Sequence, residues 1–201
     1  MQPDIIAALG RDFDAAPPHW VPVFRECSPE ELRRIAAEGL VVPPPELRPL
    51  EIRREMEVLD RFRPPHIIER GISRLGAIYA VPAPEDAPRL PFRKERVILE
   101  FKIDPAAAFV GDMDFITGLI PFISAHAAGL EQYRGAFHRY WESVIPFTEF
   151  NCRYARQGTD AGGQWVCRRQ SRNELPKNYF APEILIMTPV VSQRHIRMHG
   201  A

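Results

Sequence analysis

The pattern of apolar and polar positions marks a strand most clearly over Arg96–Ile103, RVILEFKI, where they partly alternate. Its β-branched and aromatic residues predict a strand, which Asp104-Pro105 stops. Ile184-Leu185-Ile186-Met187 is an apolar run without alternation, the pattern of a buried strand, and it is entered from Glu183. Ala77–Val81 reads as another buried strand, ended by Pro82, and Val190–Ile196 as a last short one. Near the start the period changes within a few residues. Val23 and Phe24 begin an extended run that Arg25 closes. Ser28-Pro29-Glu30-Glu31 then matches a capping box, with a hydroxyl at the N-cap, proline at the first helical position and a carboxylate at the third. Leu32, Ile35 and Ala36 follow at helical spacing, and Gly39 suits a left-handed helix end. The pattern therefore predicts a strand, a charged corner and a short helix, with Arg25 beside the helix N-terminus.

Helical spacing elsewhere predicts a short helix over 3–15, a charged helix over about 46–62 and another from His66 to Leu75, ending at Gly76. Pro64-Pro65 separates the last two. Residues 115–143 read as mostly helical, broken near Pro121 and Gly129. Phe147–Gln170 reads as a β-hairpin turning at Gly-Thr-Asp-Ala-Gly-Gly, and Ser171–Pro182 as a polar loop. This order predicts an α+β chain with helices inserted between strands of one curved sheet. It reads as one domain over 1–201: an N-terminal helix and linker over 1–20, then a core with helical insertions at about 46–75 and 115–143.

Composition narrows the classes. The 201 residues are 45% apolar, enough for a substantial core. Lys+Arg and Asp+Glu both number 26, so nucleic-acid binding must rest on a local patch and not on net charge. The 21 prolines are about twice the usual share and imply many fixed corners. The first residues lack the pattern of a signal peptide, and no apolar run has the length of a membrane span. With three cysteines this predicts reduced thiols in a cytoplasm, including the cytoplasm reached by a delivered effector.

Three segments together carry a resemblance. They are Phe24-Arg25 followed by Pro29-Glu30-Glu31 and Gly39; Gly76-Ala77-Ile78-Tyr79-Ala80-Val81 running into Pro84-Glu85-Asp86-Ala87; and Pro182-Glu183-Ile184-Leu185-Ile186. In this order they resemble the ADP-ribosyltransferase superfamily of the cholera-toxin and pierisin type. More distantly they resemble the DNA-modifying transferases of toxin-antitoxin systems. The resemblance implies a curved, mostly antiparallel split sheet with inserted helices. It also implies mono-ADP-ribosylation of a macromolecular acceptor, protein or nucleic acid, with NAD as substrate and no metal. An antitoxin or immunity protein is the partner such a toxin or effector implies.

It assigns roles by residue. Breaking the nicotinamide–ribose bond builds positive charge on the ribose, which a carboxylate at Glu183 would stabilise. Arg25, beside Phe24 and the helix N-terminus at Ser28, would hold the pyrophosphate. Tyr79, and secondarily Phe92, would wall the nicotinamide. Tyr179 and Phe180 on the late loop, with Arg168 and Arg169, would touch the acceptor. The sequence also departs from the family. Ala181 stands where many members carry an acceptor-handling Glu or Gln, which disfavours arginine as acceptor. Tyr79-Ala80-Val81 replaces a Ser-Thr-Ser element, and the opening histidine pattern of the DNA-modifying branch is absent.

Each landmark also has a plain structural reading. Arg25 can pair with Glu26 or Glu30, Tyr79 can be a core aromatic, and a glutamate before a strand can be a surface residue. A catalytically inactive interaction module with this fold is therefore an alternative. A nucleic-acid-binding α+β protein using the hairpin 147–172 is another. Residues 147–180 carry six cations, among them Arg153, Arg156, Arg168 and Arg169, against three carboxylates, interleaved with Tyr154 and Trp165. Cys152 and Cys167 would face each other across that hairpin. Cys27 sits near a helix N-terminus, where a thiol pKa can fall. His195 and His199 have metal-ligand spacing without a nearby third ligand.

Overall fold

The run VPVFREC forms β1 (Val21–Cys27), which buries Val23, Phe24 and Cys27; Arg25 does not close it, because Glu26 and Cys27 continue the pairing with Ile98 and Val97. In this computed structural model, residues 7, 9–84, 96–117, 119, 130–150 and 182–200 are described. Next comes α1 (Pro29–Glu38), where the Ser28 Oγ accepts the Glu31 N–H at 3.1 Å and Leu32, Ile35 and Ala36 form the buried face. Gly39 ends α1 at φ +81, and a Cβ there would lie 2.5 Å from the Val191 carbonyl oxygen. A side chain would break both the turn and the close approach. The approach lets β2 (Leu40–Val41) pair with β8 (Val190–Val191).

Among the described residues the other strands form two antiparallel sheets. In one, β4 (Val97–Ile103) lies between β1 and β9 (Ile196–Met198). In the other the order is β3 (Ile78–Ala80), β7 (Pro182–Ile186), β5 (Ala108–Asp112), β6 (Ile145–Pro146). A single bridge joins them: the Phe24 N–H donates to the Val81 carbonyl at 2.9 Å, and the Val81 N–H to the Phe24 carbonyl at 2.8 Å. The helices are α2 (Leu50–Arg61), α3 (Pro65–Glu69), α4 (Asp114–Thr117) and α5 (Arg134–Glu142). The α+β class is as the pattern predicts. None of the described helices is long and apolar enough to cross a membrane.

Every position of β7 is buried, which explains its unalternating sequence. Ile184 and Ile186 enter the core shared with β1, β4 and α1, where Val23, Leu32, Leu99 and Phe101 also lie. Leu185 enters the second core, under the helices, with Leu59, Ile67, Phe137, Tyr140 and Trp141. Because side chains alternate along a strand, Glu183 shares the helix-facing side with Leu185.

Several expectations need correction. Residues 9–16 are bends and turns, not the second half of a helix. The helix read over His66–Leu75 stops at Glu69, and Gly71 at φ +67 turns the chain away. The helical stretch over 115–143 reduces, in its described parts, to α4, a 3-10 turn at Leu130–Tyr133 and α5. Residues 147–150 are helical and do not start a hairpin strand. Phe147 and Phe150, three apart, both reach the first core, which suits a helical turn. The remainder of that hairpin lies outside the described residues. The last strand is interrupted by a 3-10 turn, Gln193–His195, capped by Ser192. Strand β5 is not marked in the sequence, since Ala108, Gly111 and Asp112 are poor strand formers; pairing on both edges makes it a strand.

Candidate active site

The bridge between Phe24 of β1 and Val81, the residue after β3, lies in one wall of a cleft of about 630 Å3. Phe24, Arg25, Ser28 and Glu31 line it from the strand–helix corner, Tyr79 from β3, and Glu183 from the start of β7. Leu47, Ile52 and Met56 add an apolar side near α2. Three sequence segments that lie far apart along the chain thus meet here.

At the corner, Arg25 Nη2 donates to Glu31 Oε1 at 2.7 Å, and Arg34 approaches the same oxygen at 4.0 Å. Neither pairing expected for Arg25 forms: Glu26 instead takes Arg96 at 3.1 Å. The capping box is half made, because Glu31 turns its carboxylate to Arg25. Among the described residues the Arg25 Nε is buried without an acceptor.

Glu183 is only 9% exposed, so it is no surface residue. Its Oε2 accepts from the Arg74 Nη1 and, at 2.7 Å, from the Tyr140 hydroxyl. That hydroxyl in turn accepts from Arg74 Nη1 at 2.8 Å. Arg74 Nη2 reaches Glu55 Oε1 on α2 at 3.4 Å. The guanidinium approaches two rings, 5.1 Å from the Tyr79 centroid and 5.3 Å from that of Tyr140. The Tyr79 hydroxyl donates to the Arg74 backbone carbonyl. The Asp60 carboxylate holds the same loop, accepting from the Ser73 hydroxyl at 2.5 Å and the Arg74 N–H at 2.9 Å. Arg48 donates to the Leu75 carbonyl at 2.7 Å. The loop before β3 is therefore fixed from both of its sides.

Burial alone would disfavour the Arg74 cation, but Glu183, then Tyr140, Tyr79 and Glu55, outweigh it and raise its pKa above the ordinary arginine value. Burial pushes both phenols up, with Arg74 partly opposing, so each keeps its proton and donates. Burial also raises the Glu55 carboxyl, against the pull of Arg74 and with a push from Glu183. The folded chain therefore holds the Glu55 proton to higher pH than the unfolded chain does. Its contribution to stability is present at low pH and is lost as pH rises through the raised value. Glu55→Gln stays neutral throughout. Its stability relative to wild type should improve between about pH 5 and about pH 8. Thermal unfolding of both proteins at the two pH values checks this; a gap that is constant or widens contradicts it.

Five of the residues singled out from sequence line this one cleft: Phe24, Arg25, Ser28, Tyr79 and Glu183. The Ser28 Oγ is already engaged by the Glu31 N–H, so its helix-capping role is the one seen. Phe92, Arg168, Arg169, Tyr179, Phe180, Cys152 and Cys167 lie outside the described residues. Cys27 is fully buried, which removes it as an accessible nucleophile. His195 packs edge-on against Trp20, and His199 against Phe24. Among the described residues no group of His, Cys, Asp and Glu is arranged to hold a metal. Arg74, Glu55, Asp60 and Tyr140 were not read from sequence. Only Tyr140 left a signal: with Phe137 and Trp141 it marks the apolar face of α5, where a buried phenol needs a partner.

Comparison with protein-family models, with curated proteins and with solved structures finds no match.

Proposed function

We propose that this cleft binds NAD and that the chain is a mono-ADP-ribosyltransferase of toxin or effector type, acting in a cytoplasm on a macromolecular acceptor, protein or nucleic acid. One observation carries the reading. Residues chosen from three distant segments for three parts of NAD all line one cleft of about 630 Å3. That volume is in the range of small-molecule sites. The two sheets, with Arg25 on one and Glu183 on the other, also suit the split antiparallel sheet that the resemblance implies.

In this reading the ring of Tyr79 flanks the nicotinamide and Arg25 takes a pyrophosphate oxygen. The bond from ribose C1′ to the nicotinamide nitrogen breaks, and its electron pair leaves with neutral nicotinamide. Glu183 stabilises the positive charge that develops on the ribose. An acceptor nucleophile bonds to C1′ and gives up its proton. The partner antitoxin or immunity protein would be one that covers the cleft.

Arg25→Ala should weaken NAD binding by roughly 10- to 100-fold, as loss of a charged hydrogen bond worth about 1.5–3 kcal/mol implies. Its pair with Glu31 is partly solvated, so folding should change by no more than about 1 kcal/mol. Calorimetric titration with NAD reads the first effect, and an unchanged affinity would remove Arg25 from the site. A second reading keeps the fold and drops catalysis. It is favoured by the ion pairs that Arg25 and Glu183 already make within the chain, with Glu31 and Arg74. A folded protein that does not bind NAD would select it.

A further inference from the structure

Glu183 lies at the boundary between the cleft and the second core. It lines the cleft, whereas Arg74, Tyr140 and Glu55 do not, and Arg74 is only 3% exposed. The groups that hold the carboxylate therefore approach from behind, and both bond the same oxygen, Oε2. Among the described residues no bond to Oε1 is made.

Gly111 on β5 is the register partner of Glu183 on β7. A Cβ on Gly111 would lie 3.1 Å from Tyr140 Cε2 and 3.3 Å from Tyr140 Cζ. The missing side chain is the gap through which the α5 phenol crosses β5 to the carboxylate. Helix α5 and the loop before β3 converge on one carboxylate oxygen from the side away from solvent, and α2 reaches only Arg74, through Glu55.

We infer that Arg74 and Tyr140 are positioning residues for Glu183, clamping Oε2 so that Oε1 is presented to the ribose of a dinucleotide in the cleft. This rests on the reading of the cleft as an NAD site. It adds that the carboxylate's orientation is set by buried groups that never touch the substrate. A rotated carboxylate would still fill the site, so substrate binding would survive while the geometry of bond breaking would not.

Tyr140→Phe keeps the ring and its packing but removes the hydroxyl from Oε2. Arg74→Lys keeps a positive charge but loses the fork that bonds two acidic groups. Nicotinamide release is measured for wild type, both variants and Glu183→Gln over a range of NAD concentrations, with the folded fraction determined for each protein. The expected result is a kcat lowered by roughly 10- to 100-fold per folded molecule, with KM for NAD changed by less than about twofold. Tyr140→Phe carries the test if Arg74→Lys does not fold. Unchanged kcat per folded molecule in Tyr140→Phe, with only the unfolding midpoint lowered, would overturn the inference and leave a purely structural network. The two failures are distinguishable: an inactive wild type, or a fully active Glu183→Gln, removes the NAD reading and this inference with it.

Discussion

Glu183→Gln should lower the rate of nicotinamide release from NAD by about a thousandfold or more while the chain stays folded. The substitution is close to isosteric and keeps an acceptor oxygen for Arg74 and for the Tyr140 hydroxyl, which approaches at 2.7 Å. In the proposed reaction it would remove the negative charge that faces the ribose as the glycosidic bond breaks. That charge would act in a partly dry site, where electrostatic stabilisation is strongest. Arg74 retains Glu55 at 3.4 Å as an ionic partner, so the loop before β3 is not left with a lone buried cation. Initial rates on matched folded protein measure the effect. A rate within a few-fold of wild type would mean that Glu183 stabilises no charge in the reaction.

Arg74→Met has the largest expected effect on stability, a loss of about 3–5 kcal/mol. The guanidinium bonds Glu183 and Tyr140, approaches Glu55, and lies within cation–π distance of the Tyr79 and Tyr140 rings. Methionine fills much of the volume but leaves two nearly buried carboxylates without their cation. The cost lies in those stranded charges more than in the pair itself. Adding Glu183→Gln to Arg74→Met should therefore recover part of the loss, so that the two changes are not additive. Urea unfolding of the two single variants and the double variant measures both effects. A loss under about 1 kcal/mol, or strict additivity, would contradict the picture of a coupled buried network.

The parts of the fold legible in the sequence were those governed by local rules. Ser28, Pro29 and Gly39 set the limits of α1 by capping and turn chemistry. RVILEFKI and ILIM showed their strand character through β-branched content. The site's outer members were legible for a related reason: Arg25 lies in β1 shortly before the Ser28 cap, and Glu183 near the start of β7. What escaped depends on contacts across the chain. Strand β5 exists because β6 and β7 pair with its edges, and nothing in AFVGD announces that. Arg74 sits in a loop between Ser73 and Leu75, where it reads as an ordinary surface cation. Its burial follows from Asp60 fixing the loop backbone and from Glu55 and Glu183 converging on it. Gly111 gave no sign of its use, since the space it leaves is filled from α5, a separate element.

The central claim is that this cleft breaks the nicotinamide–ribose bond of NAD. The most direct measurement is incubation of the wild-type protein with NAD labelled in the nicotinamide ring, in the presence of cell-extract protein and nucleic acid, counting free nicotinamide. Release above the protein-free blank, proportional to enzyme, is the predicted result. A folded wild-type protein that releases none under these conditions would contradict the account.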